Sequence, residues 1–232
     1  MRWARSSRYA SQTPESRTRF PNRVAVARPL PRRAPTAPPP PRRYDWRVSR
    51  IEGNPWQRVS RRVAYDNPWI SVLHDDVVRP DGLPGIYGVV HFKHLAIGVV
   101  PMDAQDRVLL VGQFRYTMNH YSWEIPEGGG DLDENPEAAA RRELVEETGY
   151  RGGKWREICR AELSNSVSDE VTILFVATDL EAGPSSPEGT EQLQMRWVPF
   201  QETLRMIAEG EIVDAMSILA LQTLALEGSR GR

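Results

Sequence analysis

Residues Gly128 to Tyr150 read GGGDLDENPEAAARRELVEETGY, and this stretch predicts a charged helix with defined ends. Asn135 is a favourable N-cap residue, and Pro136 suits the first helical position, where its missing N–H costs nothing. Gly149 stands where a helix that ends near Thr148 takes a left-handed cap. We therefore predict a helix of about three to four turns within this stretch.

Three glutamates of this helix share one face. Glu146 and Glu147 lie three and four positions after Glu143, a spacing at which like charges repel by a few tenths of a kcal/mol per pair. A hard divalent cation neutralises such a group, and Mg²⁺ combines a few carboxylates with water and substrate phosphates. The helix therefore predicts a metal site for phosphate chemistry.

The same stretch resembles the Nudix box, G-x5-E-x7-R-E-U-x-E-E-x-G-U, in which U is a bulky apolar residue. The matching residues are Gly128, Glu134, Arg142, Glu143, Leu144, Glu146, Glu147 and Gly149. Tyr150 departs from the aliphatic residue at the last position. The chain is thus similar to the Nudix hydrolase superfamily. The resemblance implies an α/β (α+β) fold, a Nudix α/β/α sandwich with a mixed sheet.

The remaining sequence predicts strands before and after the helix. They are expected at Arg61 to Tyr65, Ile70 to Val78, Ile86 to Phe92, His94 to Met102, Arg107 to Phe114, Trp155 to Leu163, Val171 to Leu180 and Gln192 to Val198. We expect the fourth and fifth to form a hairpin around Asp103 to Asp106. Helical periodicity predicts two helices near the end of the sequence, at Phe200 to Glu209 and Val213 to Glu227. The early strands, within 60–92, resemble the N-terminal β-meander of the ADP-ribose and ADP-sugar pyrophosphatase branch.

The resemblance also implies the roles of the box residues. The metal ligands are Glu143, Glu146 and Glu147, with the backbone carbonyl of Glu127 completing the shell. Glu147 is expected to bridge more than one Mg²⁺ ion, and Mn²⁺ is an expected substitute. Arg142 is expected to be held by Glu134 and to orient the helix.

Residues outside the box are assigned by the same resemblance. Arg115 and Glu124 match substrate-binding positions, although Arg115 has the alternative role of balancing the acidic cluster. Tyr121 and Trp123 are interpreted as packing residues, with base stacking as the alternative. The general base is expected on the loop before the last strand, at Glu191 or Glu188, and Glu146 is the alternative inside the box.

The predicted activity is Mg²⁺-dependent hydrolysis of the pyrophosphate bond of a nucleoside diphosphate linked to a sugar or similar moiety. The products are a nucleoside monophosphate and a sugar phosphate. Ser164 to Glu170 lacks the proline of the branch's Ser-Pro-Gly pattern, so the substrate is predicted as an ADP-sugar or related nucleotide sugar and not as ADP-ribose specifically. Alternatives are a dinucleoside polyphosphate or damaged nucleotide, or a non-catalytic nucleotide-sugar sensor. Members of the branch are commonly homodimers, which is the expected assembly.

Charge divides the chain into two parts. Residues 1–50 hold 13 arginines against two acids, about +11, so the remainder carries about −12 of the overall −1. We predict a disordered Pro/Arg-rich extension over 1–50 and a Nudix hydrolase domain over 51–232. The extension has alternative roles as a targeting peptide or as a segment that binds nucleic acid, a membrane surface or a proline-recognition domain. An acidic body disfavours nucleic-acid binding by the domain itself.

The sequence contains neither a long apolar run nor a secretory signal, and Cys159 is its single cysteine. We therefore expect no membrane span and a cytoplasmic location.

Overall fold

The computed structural model of the protein describes residues 53–183 and 193–230. The predicted extension over 1–50 lies outside these residues. Within them the elements, in chain order, are β1 (Gln57–Asp66), β2 (Ile70–Val78), β3 (Pro84–Phe92), β4 (His94–Pro101), β5 (Arg107–Arg115), β6 (His120–Glu124), β7 (Glu127–Asp131), α1 (Pro136–Thr148), β8 (Tyr150–Leu163), β9 (Glu170–Ala182), β10 (Gln194–Pro199), α2 (Phe200–Ala208) and α3 (Ala215–Arg230). None of the described helices is long and apolar enough to cross a membrane.

The first three strands form the predicted meander. β1 pairs with β2, and β2 pairs with β3, both antiparallel. Arg61 on β1 donates two hydrogen bonds to the buried carboxylate of Asp75 on β2, at 2.6 and 2.7 Å. This ion pair joins two strands at a point where β1 has no buried side chain of its own.

A mixed four-stranded sheet, in the order β7-β4-β9-β8, forms the middle of the sandwich. β4 and β9 run parallel, whereas the other pairs are antiparallel. Side chains of β4 alternate between the two faces, as they do in any strand. Ile97 packs with Leu144 of α1, and Val100 packs with Leu221 of α3. Helices therefore cover both faces, and the predicted α/β/α sandwich with a mixed sheet is confirmed.

The predicted hairpin between β4 and β5 is wrong. Along their described backbones the two strands share the isolated bridge between Met102 and Val108 and then separate. β4 bonds to β7 and β9 on its two edges, so no edge remains for β5. β5 instead lies between β10 and β6 in a second three-stranded sheet.

The helix of the Nudix-like stretch has the predicted bounds and caps. The Asn135 side chain accepts hydrogen bonds from the backbone N–H groups of Glu137 and Ala138, at 2.9 and 3.2 Å. Gly149 adopts the left-handed conformation, with φ of 75°. The chain then turns directly into β8, so both ends of α1 are fixed against the central sheet.

Candidate active site

β7 and α1 place four glutamates on the wall of one cavity of about 240 Å³. Glu127 comes from β7, and Glu143, Glu146 and Glu147 come from α1. Gly128 lies directly below the helix, and a Cβ atom at this position would collide with the carboxylate of Glu143. The bare backbone of β7 thus allows the helix to bring its acidic face against the strand.

Arg142 lies among these carboxylates. Its Nη1 donates to Glu143 Oε1 at 2.5 Å and to Glu146 Oε2 at 3.2 Å. Its Nη2 donates to the carbonyl of Gly129 at 2.8 Å and to Glu134 Oε2 at 3.3 Å. The contact between Glu134 and Arg142 is the one that the resemblance implies, and it links the loop before α1 to the acidic face.

The buried Glu147 and Glu127 are joined through the backbone. Glu147 Oε2 accepts a hydrogen bond from the N–H of Glu127 at 3.1 Å. The carboxyl of Glu127 accepts from the Ser217 hydroxyl at 3.2 Å. Burial raises the pKa of Glu127 well above its ordinary value, and the nearby Asp214 and Glu124 add to the shift. Sequence reasoning assigned only the backbone carbonyl of Glu127 and missed this side chain.

The acidic wall suits a hard divalent cation by its chemistry. The predicted ligands are three carboxylates and one carbonyl, an all-oxygen set of the kind that Mg²⁺ takes. Gly128 leaves room between strand and helix for the carboxylate of Glu143. In the conformation of residues 53–183 and 193–230, no three His, Cys, Asp or Glu side chains converge on one point, and Arg142 balances Glu143 and Glu146. The residues fit the metal by the oxygen chemistry of their ligands. To hold it, Glu143 and Glu146 would turn away from Arg142.

A second cavity, of about 390 Å³, opens on the other side of the acidic wall. The two cavities share Ala96, Glu127, Gly128, Glu147 and Glu170. Its outer wall is the hairpin of β5 and β6. The site is therefore a row of carboxylates with a space on either side.

Arg115 and Glu124, the predicted substrate-binding residues, meet in the wall of the second cavity. Arg115 Nε lies 2.9 Å from both carboxylate oxygens of Glu124, whose side chain is 2% exposed. Arg115 also approaches Glu127 Oε2 at 3.6 Å. The guanidinium thus balances buried acids, as in the alternative role considered for Arg115.

Glu170 is a site residue that the sequence prediction did not include. It lines both cavities, and burial raises its pKa, with further contributions from Asp169 and Asp214. Asp169 accepts a hydrogen bond from the N–H of Phe92 at 2.9 Å and contacts His91 Nδ1 at 2.5 Å. A sequence signal for Glu170 was present, because Ser168-Asp169-Glu170 is the part of the loop from Ser164 to Glu170 that resembles the ADP-sugar pyrophosphatase branch.

The remaining predictions concern two loop glutamates and two aromatic residues. Glu188 and Glu191 fall outside the described residues. Trp123 packs against the core with Arg196 4.1 Å above its ring, and Tyr121 stands edge-on to it at 5.7 Å. Neither ring lines the two cavities, in agreement with the packing interpretation.

Comparison with known proteins yields two family matches. Residues 92–216 match the NUDIX domain, and residues 56–90 match the nucleoside diphosphate sugar hydrolase N-terminal domain. The fold is similar to that in a crystal structure of an ADP compounds hydrolase, with a TM-score of 0.68 and 19% identity over 75% of this chain and 95% of that one.

Several relatives share more of the sequence. The chain is 30% identical to an ADP-ribose pyrophosphatase of Mycobacterium tuberculosis, over 70% of this chain and 80% of the relative. It is 30% identical to a CMP-5'-(N-acetyl-N-hydroxy-3-aminopropyl)phosphonate hydrolase of Streptomyces rubellomurinus, over 75% of this chain and 85% of the relative. It is 36% identical to a GDP-mannose pyrophosphatase of Klebsiella pneumoniae, over 53% of this chain and 67% of the relative. Because the NUDIX match spans more than half of the chain, the protein belongs to the Nudix hydrolase family.

Proposed function

We propose that this protein hydrolyses the pyrophosphate bond of a nucleoside diphosphate linked to a sugar or a similar moiety. The observation that carries the proposal is the row of carboxylates between two cavities. A substrate with a central diphosphate and a group at each end matches that arrangement. The ADP-ribose and GDP-mannose pyrophosphatases among the relatives support the same substrate class.

In this proposal Glu143, Glu146, Glu147 and the carbonyl of Glu127 hold Mg²⁺, with Mn²⁺ as a substitute. When bound, such a metal would neutralise phosphoryl oxygens and lower the pKa of a coordinated water. Arg142 holds the acidic face against β7 through its bonds to the Gly129 carbonyl and to Glu134. Arg115 holds the buried side chain of Glu124 and contacts that of Glu127 in the wall of the second cavity.

We assign the general base to Glu191 or Glu188, with Glu146 as the alternative. The assignment comes from the family resemblance, and Glu146 is supported by its half-exposed side chain on the cavity wall. Turnover of Glu188→Gln, Glu191→Gln and Glu146→Gln at saturating Mg²⁺ separates the candidates. A loss of less than tenfold in both loop variants would return the role to Glu146.

The substitution Glu147→Gln tests the proposed function. Removing one charge from the buried acidic wall is expected to lower turnover of ADP-ribose or GDP-mannose by at least a hundredfold, because a lost contact of ~3 kcal/mol in the transition state has that effect. Glu137→Gln is the control, since Glu137 lies on the same helix and pairs with Arg141 away from the cavities. Thermal unfolding of both variants shows whether the fold is intact.

Two results would contradict the proposal. One is a Glu147→Gln enzyme that retains turnover within about tenfold of wild type. The other is a wild-type protein that binds nucleotide sugars and hydrolyses none of them with Mg²⁺ or Mn²⁺, which is the behaviour expected of a sensor.

We also propose a homodimer with a cytoplasmic location and a hydrolase domain over 51–232. The dimer is supported by apolar side chains on one face of the meander, where Tyr65 is 51% exposed and Ile86 is 69% exposed. Such residues commonly mark an interface. Sedimentation of the full chain at micromolar concentration distinguishes a dimer from a monomer.

A further inference from the structure

Glu170, the first residue of β9, lines both cavities beside the acidic wall. Burial raises its pKa and Asp169 and Asp214 add to the shift, whereas no cation among the described residues offsets it. The buried Glu124 differs, because the guanidinium of Arg115 holds it directly. The place of Glu170 in the site therefore depends on the backbone that carries it.

The preceding residue, Asp169, is bound at both carboxylate oxygens by consecutive residues of β3. Its Oδ1 accepts a hydrogen bond from the N–H of Phe92 at 2.9 Å, and its Oδ2 lies 2.5 Å from His91 Nδ1. Because an ionised carboxylate only accepts hydrogen bonds, Nδ1 of His91 is the donor. The N–H of Asp169 also donates to the carbonyl of Val90 at 3.2 Å. Both the side chain and the backbone of Asp169 are thus tied to β3.

This attachment restrains Glu170, because the two residues are joined by a planar peptide bond that fixes the distance between their Cα atoms. The side chain of Asp169 contacts β3, while that of Glu170 faces the cavities. Leu163 of β8 pairs with Glu170 in the sheet. Phe92, whose N–H binds Asp169, itself lines the first cavity. The bond between His91 and Asp169 therefore lies one residue from the site on both strands.

We propose that His91 and Asp169 are positioning residues for the hydrolysis, and that they act by holding Glu170 at the acidic wall. The inference rests on the proposed function and adds two residues that lie outside the helix α1. It also gives the meander a part in the reaction, because His91 belongs to β3.

The test measures kcat of the full-length protein on ADP-ribose and GDP-mannose at saturating Mg²⁺. His91→Leu, which removes the donor, is expected to lower kcat about tenfold, because a small displacement of a group in an active site has an effect of that order or larger. His91→Asn is expected to recover about half of the wild-type kcat or more, because its amide nitrogen can donate from a place close to that of Nδ1.

His74→Leu is the matched control and is expected to keep the wild-type kcat. His74 lies on the neighbouring strand β2, and its Nε2 is 3.7 Å from Asp76 Oδ1. Its side chain is 29% exposed, against 30% for His91, and it lines neither cavity. The pair of variants therefore compares two histidine–aspartate contacts of one sheet, of which one adjoins the site.

A double-mutant cycle separates positioning from a general weakening of the fold. Glu170→Gln is expected to lower kcat about tenfold or more. Adding His91→Leu to it is expected to lower kcat by less than about a further twofold, because changes that act through one group are not additive. A purely structural role of His91 would give the same loss in both backgrounds.

Four results would overturn the inference and leave the proposed function intact. They are a wild-type kcat in Glu170→Gln, a wild-type kcat in His91→Leu, a His91→Asn enzyme as slow as His91→Leu, and equal losses in the two backgrounds of the cycle. A wild-type protein that hydrolyses neither substrate would overturn the proposed function and this inference with it.

Discussion

At the scale of single residues, Gly128 has an effect that reaches across the site. The carboxylate of Glu143 occupies the position that a side chain at 128 would fill. The neighbouring Gly129 is different, since a Cβ there would meet only His94 Cβ at 3.8 Å, an ordinary contact. Two adjacent glycines in one strand therefore have different reasons to lack a side chain.

We predict that Gly128→Ala displaces Glu143 and lowers turnover at limiting Mg²⁺ by about tenfold or more, because the displaced carboxylate cannot join the other metal ligands. Gly129→Ala is the control and is expected to retain near wild-type turnover. A Mg²⁺ titration of the reaction rate measures both. Equal metal dependence of the two variants would show that the Glu143 carboxylate is not a ligand.

Helical spacing identified the acidic residues of α1, and the family resemblance added Arg115, Glu124 and the Glu127 carbonyl, but Glu170 and Asp214 were not predicted. Glu143, Glu146 and Glu147 share a face because helical spacing alone places them there. Glu170 and Asp214 join them through the parallel pairing of β4 with β9 and through the position of α3. Contacts between such distant segments depend on tertiary packing, which no local spacing encodes.

At the scale of elements, α3 is tied to the strand that precedes α1. The Ser217 hydroxyl accepts a hydrogen bond from the N–H of Ile125 at 2.9 Å and donates to Glu127 at 3.2 Å. Its own N–H donates to the carboxylate of Asp214 at 2.7 Å, which caps the helix. The first turn of α3 thereby fixes the backbone that leads into β7.

We predict that Ser217→Ala lowers the free energy of unfolding by about 1–3 kcal/mol, because the buried N–H of Ile125 loses its acceptor. Urea unfolding measures the loss, and Ser166→Ala, on the exposed loop after β8, is expected to change it by less than about 0.5 kcal/mol. A Ser217→Ala protein as stable as the control would mean that water or another group replaces the hydroxyl.

Sequence predicted most strands but not all of their partners. β6 and β7 were not predicted, because one is short and the other, EGGGD, is rich in glycine, which weakens the strand pattern. β7 forms nevertheless, since β4 supplies a complete antiparallel partner from His94 to Gly98. The mistaken hairpin has a similar origin. The short connection between β4 and β5 favoured their pairing, whereas the long-range partners of β4, which are β7 and β9, leave no sequence signal.

At the scale of the whole molecule, the acidic wall makes stability depend on pH. Burial raises the pKa values of Glu127, Glu143 and Glu170 in the folded protein. Above the ordinary value of about 4.5, the folded protein then holds more protons than the unfolded chain. The free energy of unfolding therefore falls as the pH rises from about 4.5 through the raised pKa values of these glutamates. Asp75 has a lowered pKa and acts in the opposite direction, at more acidic pH.

We predict that the metal-free wild type loses more stability between pH 5 and pH 8 than Glu127→Gln does, because the variant has no carboxyl to ionise at this position. The amide can still accept the hydrogen bond from Ser217. Urea unfolding of both proteins at several pH values measures the two slopes. Parallel slopes would mean that Glu127 ionises without cost in the folded state.

The loop from Ser164 to Glu170 is bonded along its length to β3. Val90 N–H donates to the Val167 carbonyl at 2.8 Å, and the Tyr87 hydroxyl donates to the Ser166 carbonyl at 2.9 Å. The meander and the loop therefore behave as one exchangeable unit, although about 75 residues separate them in sequence. A chimera that takes its first three strands from a relative must take this loop as well, or the loop that leads into Glu170 loses its hydrogen bonds to β3.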